Sequence, residues 1–257
     1  MAEKRDKTIE KIRKSLELAV KNSGVQIEYQ EAKAINSNTI LADKEYKVQE
    51  IVYATGSKPR EIKGLEFDEE FILSSDDVLK LDKLPKSVLI IGSGAIGIEW
   101  VRIFSNFGVE VAVVELAEHL IPLADIEVSK RIERIFKQTK IKYYVQDCVN
   151  SILNNTVTLK SGTIIEPDFI LSAVGREPLK IENFNCKVLG DACAQIQLAH
   201  YAVSQGLKFA EGDNTTLDKN LIPSVIYGEP EIAWVGLRRN EAIFLLPETS
   251  LRSLICE

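Results

Sequence analysis

The sequence predicts an α/β fold, and three neighbouring observations support this class. A short apolar run from Val88 to Ile91 has the length and the residue types of a buried strand. It leads directly into glycines with the spacing G-x-G-x-x-G and then into an amphipathic segment that stops at Gly108. A second apolar run follows and ends at Glu115. The order of strand, tight turn, helix, strand and acid predicts a Rossmann-like unit that binds a dinucleotide.

The glycines of this turn have different physical tasks. Gly92 permits a sharp turn off the strand, Gly94 lets a pyrophosphate approach the backbone, and Gly97 lets the helix lie close to the sheet. The N–H groups of the first helical turn, which includes Ile96, attract phosphate together with the helix dipole. Glu115 can accept hydrogen bonds from the adenosine ribose and repels a 2′-phosphate, which favours NAD over NADP. A glycine-rich turn without any ligand is the alternative.

Before this unit, the pattern predicts one helix and several short strands. Residues 5–22 form the helix, with apolar side chains at helical spacing on one face. A glycine turn follows the last strand at Thr55 and Gly56, and residues 74–77 are expected to cap a short helix that ends at Leu81. The predicted strands cover residues 25–29, 39–42 and 50–53.

After the acid, the pattern predicts a helix over residues 125–137 and then five strands. The last strand ends in Gly175 and Arg176. Because open α/β sheets bind ligands at the carboxyl ends of their strands, these two residues are candidates for a ligand contact, with a plain turn as the alternative. The five strands cover residues 141–145, 149–153, 157–159, 163–165 and 169–174.

A second candidate site lies where a strand ends at Gly190 and Asp191 and a helix begins near Leu198. Asp191 can accept a hydrogen bond from a ligand hydroxyl, and the helix N-terminus can face an anion. His200, in the first turn of that helix, is by itself more typical of a packed or capping histidine than of a catalytic one. The segments 222–227 and 230–236 are expected to be extended.

Composition and charge limit the possible classes of function. The chain has 257 residues, of which 45% are hydrophobic and 27% charged, as in soluble globular proteins of one large or two modest domains. The net charge of −6 and the lack of a Lys/Arg cluster argue against nucleic-acid binding. No apolar run has the length of a membrane span, and the first residues lack the apolar core of a secretory signal.

The cysteines provide no recognisable site. They form neither a C-x-x-C pair nor a metal-ligand spacing, so we expect buried or idle thiols in a reducing compartment and no metal centre. The four cysteines are Cys148, Cys186, Cys193 and Cys256.

Several motifs stand together in one order and carry a resemblance over residues 4–237. They read ATGSKP, IGSGAIGIEW, VVE, AVGREP, LGDA, LAHYA, IPSVIY and PEIAWVGL. In this order they closely resemble dihydrolipoyl dehydrogenase, of the class I pyridine nucleotide-disulfide oxidoreductases. The resemblance implies a Rossmann-like NAD-binding domain with a partial second domain of the FAD type.

The resemblance also implies the cofactors NAD and FAD and a set of contact residues for each. Glu99 would lie near the nicotinamide, Asp191 would reach the ribityl chain, and the amides of residues 198–200 would face the flavin pyrimidine edge. The residues implied for NAD are Gly92, Gly94, Ile96, Gly97, Glu99, Glu115, Gly175 and Arg176. Those implied for FAD are Thr55, Gly56, Gly190, Asp191, Leu198, Ala199 and His200.

The same resemblance implies an activity and partners. In that family electrons pass from dihydrolipoamide through FAD to NAD, the substrate is a lipoyl-bearing protein, and the enzyme is a homodimer. A cytoplasmic location is expected, or the mitochondrial matrix if the source is eukaryotic. We divide the chain into a partial FAD-binding domain (1–84), an NAD-binding domain (85–180), a partial FAD or central domain (181–237) and an aberrant tail (238–257).

This sequence departs from the family pattern in three places. It has no N-terminal FAD fingerprint with a C-x-x-x-x-C redox pair, a shortened segment between Pro178 and Val188, and no His–Glu pair after Leu237. We therefore assign no catalytic residue and expect that the chain as given does not run the full reaction. The alternatives are a non-catalytic NAD(H)-binding module or remnant, or another flavoprotein disulfide reductase.

Overall fold

The computed structural model describes residues 2–179, 186–213, 215 and 217–242. The part that precedes the glycine-rich turn contains one long helix, several short strands and one short helix. These elements are α1 (Ala2–Asn22), β1 (Lys33–Asn36), β2 (Thr39–Leu41), β3 (Glu45–Lys47), β4 (Val52–Tyr53), β5 (Ser57–Pro59), β6 (Ile72–Ser74) and α2 (Ser75–Val78).

The following part alternates strands and helices and then forms a β-meander. Its elements are β7 (Ser87–Ile91), α3 (Ala95–Asn106), β8 (Glu110–Val114), α4 (Ile126–Thr139), β9 (Lys142–Tyr144), β10 (Val149–Leu153), β11 (Thr156–Leu159), β12 (Ile164–Ile165) and β13 (Phe169–Ser172). The remaining ones are β14 (Arg176–Pro178), β15 (Lys187–Val188), a 3₁₀ helix (Gly190–Cys193), α5 (Ala199–Ala210), a 3₁₀ helix (Lys219–Leu221), β16 (Ser224–Ile226), β17 (Ile232–Trp234) and α6 (Arg239–Ala242).

The centre of the fold is a five-stranded sheet in the order β6-β13-β7-β8-β9. All its neighbouring strands pair in parallel, with Leu89 opposite Ile170 on one side and opposite Ala112 on the other. Parallel pairing places the carboxyl ends of β7, β8 and β13 at one edge. The predicted α/β class is therefore confirmed, and its candidate ligand edge is formed by adjacent strands.

Side chains of the central strands alternate between two hydrophobic clusters, as the period of a strand requires. On one face, Ile90 packs in a cluster that also contains Phe104 of α3 and Phe136 of α4. On the other face, Leu89 packs in a cluster with Val157 from the sheet β10-β11-β12. Burial on both faces explains why the central strands are continuous apolar runs.

Most predicted elements are present with shifted ends. The predicted cap of the short helix is confirmed and takes the form of a capping box, in which Ser74 Oγ accepts from the N–H of Asp77 and the Asp77 carboxylate accepts from the N–H of Ser74. The helix ends at Val78 instead of Leu81. The hairpin turn between β10 and β11 places Asn154 and Asn155 at φ 48° and 60°, which asparagine tolerates. Within the described residues, no helix has the length and apolarity to cross a membrane.

The prediction of a strand over residues 25–29 is wrong. The segment forms no strand, and Val25 and Tyr29 are 57% and 75% exposed, so alternating apolar residues there have no sheet to cover. The apolar positions Ile12 and Leu16 of α1 are likewise exposed. The shortened segment after Pro178 falls largely on residues 180–185 and most of the tail on 243–257, both outside the described residues. The domain boundaries stay a prediction.

We expect Gly97→Ala to lower the free energy of unfolding by about 3 kcal/mol or more. A Cβ at Gly97 would overlap the carbonyl oxygen of Gly92, and backbone atoms in a tight turn have no room to move. Chemical denaturation measures the effect. Gly206→Ala in α5 is the matched control, since a Cβ there meets nothing within 4 Å and gains up to about 1 kcal/mol of helix propensity. Equal stabilities of the two variants would contradict the expectation.

Candidate functional site

The glycine-rich turn is packed tightly on its inner side and open on its outer side. Gly92 has φ 94°, and its N–H donates to the carbonyl of Val114 at 2.9 Å. A Cβ at Gly92 would lie 2.7 Å from the Ala173 carbonyl oxygen, whereas a Cβ at Gly94 would meet nothing within 4 Å. The turn therefore needs glycine at Gly92 for packing, while Gly94 leaves a backbone surface that a ligand can approach.

Helix α3 starts at this open surface. Gly94 is its N-cap residue and offers no side-chain hydrogen bond, and the first helical turn carries no acidic residue. The first N–H groups of a helix have no partner within the helix, so they can face an anion here. Ile96 is half-buried and packs against the cluster around Ile90, which anchors this first turn to the sheet.

The Glu115 side chain is 8% exposed and lies beside the turn. Its Oε2 accepts hydrogen bonds from the N–H of Ser93 at 2.8 Å and from Ser93 Oγ at 2.7 Å. Its Oε1 accepts from the N–H of Ala117 at 2.8 Å. The structure thus joins the predicted acid to the glycine-rich turn through Ser93, a residue that the sequence analysis did not single out.

Glu99 lies one turn further along α3 and is held by a hairpin from the C-terminal part. Its Oε1 accepts from the N–H of Tyr227 at 3.0 Å. The hairpin β16–β17 is seated there because Ile226 and Ile232 are buried in the same cluster as Phe104. The predicted extended segments are confirmed, and Glu99 is positioned by a backbone donor.

The Arg176 side chain is directed towards protein groups. Its Nε donates to Ser57 Oγ at 2.9 Å and its Nη2 to the Ser57 carbonyl at 2.8 Å. Its Nη1 donates to Asp76 Oδ1 at 3.0 Å, in an ion pair whose carboxylate is half exposed. Within the described part of the chain, three of its five donors are engaged, which leaves two for a ligand in the predicted role at NAD.

The two predicted groups of site residues meet at one pair of strands. Strands β14 and β5 pair antiparallel, with Arg176 opposite Pro59. Gly175 has φ 105°, and its carbonyl accepts from the N–H of Arg60 at 3.0 Å, while the Gly56 carbonyl accepts from Leu179 at 3.2 Å. The Thr55–Gly56 turn therefore lies beside the turn that follows β13.

Asp191 belongs to the same hydrogen-bond network. Its Oδ2 accepts from Ser57 Oγ at 2.8 Å, so Ser57 lies between the Asp191 carboxylate and the Arg176 guanidinium. The N–H of Gly190 donates to Gln205 Oε1 at 2.8 Å, which ties the Gly190 turn to α5. The residue before that helix, Leu198, provides no side-chain cap, so the N–H groups that begin at Ala199 are open to a ligand.

His200 and Cys193 have structural contacts. His200 Nε2 lies 2.9 Å from the carbonyl oxygen of Pro223, which requires the ring to donate from that nitrogen. The Cys193 thiol donates to the Val188 carbonyl at 2.7 Å, and burial raises the pKa of this thiol, which disfavours the nucleophilic thiolate. Among the described residues, no group of His, Cys, Asp and Glu side chains could hold a metal ion.

Comparison with known proteins agrees with this arrangement. Residues 1–188 match the family model for pyridine nucleotide-disulphide oxidoreductases. Dihydrolipoyl dehydrogenase of Bacillus subtilis is 32% identical over 76% of this chain and 49% of its own length. Dihydrolipoyl dehydrogenase of Chlamydia pneumoniae is 31% identical over 94% of this chain and 60% of its own. The chain thus spans about half to three-fifths of the length of these relatives, and the resemblance found in the motifs is confirmed.

Solved structures show the same fold. The crystal structure of LpdA from Mycobacterium tuberculosis superposes with a TM-score of 0.77 at 23% identity, covering 88% of this chain and 59% of that one. The HOCl-induced flavoprotein disulfide reductase RclA from Escherichia coli gives a TM-score of 0.71 at 20% identity, with 84% and 58% covered. These likenesses confirm the Rossmann-like FAD/NAD(P)-binding fold class.

We expect Ser57→Ala to lower the free energy of unfolding by about 1–3 kcal/mol, because it leaves Arg176 Nε and Asp191 Oδ2 without their shared hydroxyl. Asp76→Asn should cost less than about 1 kcal/mol, since its ion pair with Arg176 is half exposed on the carboxylate side. Denaturant titration of both variants gives the comparison. A greater loss for Asp76→Asn than for Ser57→Ala would contradict the central position of the serine.

Proposed function

Because the chain belongs to the pyridine nucleotide-disulphide oxidoreductase family, we propose that it binds NAD(H) at the glycine-rich turn that starts at Gly92 and at the neighbouring Glu115. We further propose that it serves an oxidoreductase of the dihydrolipoyl dehydrogenase type, in which electrons pass from dihydrolipoamide through FAD to NAD. The observation that carries the proposal is the open backbone at Gly94, at the start of α3 and beside the buried Glu115.

The residues of the turn fit the chemistry of NAD. The pyrophosphate would lie over Gly94, where no Cβ blocks it and the first N–H groups of α3 supply positive potential. Glu115 would accept a hydrogen bond from the adenosine ribose. Among the described residues its carboxylate accepts from neutral donors, Ser93 and Ala117, so its negative charge is not offset by them and would repel the 2′-phosphate of NADP.

The residues around Asp191 and α5 fit one side of a flavin site. When bound, FAD would supply the two-electron chemistry that joins a dithiol to a nicotinamide. Asp191 would accept a hydroxyl of the ribityl chain in addition to its bond from Ser57. The N–H groups that begin at Ala199 would stabilise negative charge on the flavin, since they lie at the positive end of the helix dipole.

The proposed partners follow from the relatives that the chain matches. Relatives named dihydrolipoyl dehydrogenase support a lipoyl-bearing protein as the substrate of the complete enzyme. A homodimer, and a location in the cytoplasm or the mitochondrial matrix, belong to the same proposal.

A second candidate function is binding of NAD(H) without flavin chemistry. It is favoured by the contacts of the site itself: the open backbone at Gly94 and the hydrogen bonds that Glu115 accepts from Ser93 and Ala117 involve none of the residues implied for FAD. In this case the glycine-rich turn and Glu115 would function alone, and the chain would act as a binding module.

An absorbance spectrum followed by NADH titration in the same cuvette tests both functions. We expect a flavin band that bleaches on addition of NADH if the Asp191 side holds FAD next to the NAD site. Colourless protein that binds NADH with saturation would favour the binding module. Absence of saturable NADH binding would refute both functions, because each depends on the Gly94 turn.

We expect Glu115→Ala to raise the dissociation constant of NADH about tenfold or more, because a hydrogen bond to a charged group contributes about 1.5–3 kcal/mol. Binding of NADPH should be unchanged or stronger, since the repelling charge is removed. Fluorescence titration with both nucleotides measures the effect. Glu118→Ala is the matched control, an exposed acid three positions along the same loop. Unchanged affinities in Glu115→Ala would refute the assigned role.

A further inference from the structure

Ser93, which lies between Gly92 and Gly94, forms hydrogen bonds to two other segments of the chain. Ser93 is fully buried, with 0% exposure. Its N–H and its hydroxyl both donate to Glu115 Oε2, and its Oγ also accepts from the N–H of Ile121 at 3.1 Å. One small side chain therefore joins the glycine-rich turn, the acid at the end of β8 and the loop that follows it.

This bond holds a loop residue in an unusual conformation. Ile121 has φ 52°, a left-handed conformation that is unusual for a β-branched residue, and its side chain is buried. Its N–H is satisfied by Ser93 Oγ, and the carbonyl of the preceding Leu120 accepts from Ser129 Oγ at 2.5 Å. Because Ser93 Oγ accepts from Ile121, its own proton must point to the Glu115 carboxylate.

The bonds to Glu115 leave one defined direction for a ligand. A carboxylate has about four lone-pair positions. Among the described donors, Ser93 occupies two on Oε2 and Ala117 occupies one on Oε1, which leaves a position on Oε1. A ribose hydroxyl has to approach from that side, and a 2′-phosphate brought there meets a carboxylate that is held in place.

We propose that Ser93 is a positioning residue that fixes the Glu115 carboxylate and thereby sets the discrimination between NADH and NADPH. The inference rests on the proposed NAD(H) site and adds the residue that orients its acid. Ser93 is a neutral donor, so it holds the carboxylate in place without cancelling the charge that excludes a 2′-phosphate. A lysine or arginine partner would also hold the carboxylate in place, but it would offset the negative charge that excludes a 2′-phosphate.

The test compares the NADPH-to-NADH ratio of dissociation constants in wild type and Ser93→Ala. We expect the ratio to fall about tenfold, because Ser93→Ala removes one hydrogen bond to a charged acceptor. In a Glu115→Gln background, Ser93→Ala should change the ratio less than about twofold, because the two residues act as one unit. Both nucleotides are titrated by fluorescence on the same full chain.

Ser172→Ala is the matched control. Ser172 is 4% exposed in the adjacent strand β13, and its Oγ has no hydrogen-bond partner among the described groups. The NADPH-to-NADH ratio of dissociation constants in Ser172→Ala should equal that of wild type. If Ser93→Ala does not fold, Ser93→Cys preserves the shape with a weaker donor and should shift the ratio in the same direction.

The outcomes separate this inference from the proposed function. Wild-type chain that does not bind NADH overturns both. If the wild type binds NADH and Ser93→Ala lowers only the unfolding midpoint, with an unchanged ratio, Ser93 has a merely structural role and the inference alone is overturned. A fall in the ratio that is as large in the Glu115→Gln background also overturns it.

Discussion

The close approach of helix α3 to the parallel sheet is the constraint on which the rest of the structure depends. Gly97 lies against the Gly92 carbonyl, and Gly92 in turn lies against the Ala173 carbonyl of the neighbouring strand end. Both contacts exclude a Cβ, so they fix the path of the chain between β7 and α3 by shape alone. Once this path is fixed, the start of α3 lies next to the end of β8, since Ser93, the residue before the N-cap Gly94, bonds to Glu115.

A second set of contacts brings distant segments to that edge of the sheet. Ser57 is 119 positions from Arg176 and 134 from Asp191, yet its hydroxyl bonds to both side chains. The pairing of β14 with β5 makes this possible, because it places the turn after β13 beside the turn before β5. The residues predicted for two different cofactors are therefore connected through one serine, although they come from three separate segments.

The sequence was sufficient to predict the parts whose physics is local. Glycine spacing, apolar runs and the cap by residues 74–77 are each determined by a few neighbouring residues, and the structure contains them. The strand predicted over residues 25–29 failed because a strand depends on a partner and a covered face, and an apolar run reports neither. The roles of Ser57 and Ser93 were missed for the same reason, since their partners lie far away in sequence.

The two serines also explain how this edge of the sheet keeps its charge. Among the described residues, Glu115 and Asp191 are each held by a serine hydroxyl, at 2.7 and 2.8 Å, and neither forms a direct ion pair. A neutral donor orients a carboxylate but leaves its negative charge in place, whereas in an ion pair the charges of the two partners offset each other. The same network contains an acid of each kind. Arg176 forms a direct ion pair with the exposed Asp76, whereas it is connected to Asp191 through the Ser57 hydroxyl. Acids arranged in this way remain strong acceptors for neutral hydroxyl groups and repel anions, which is the selectivity that a ribose site requires.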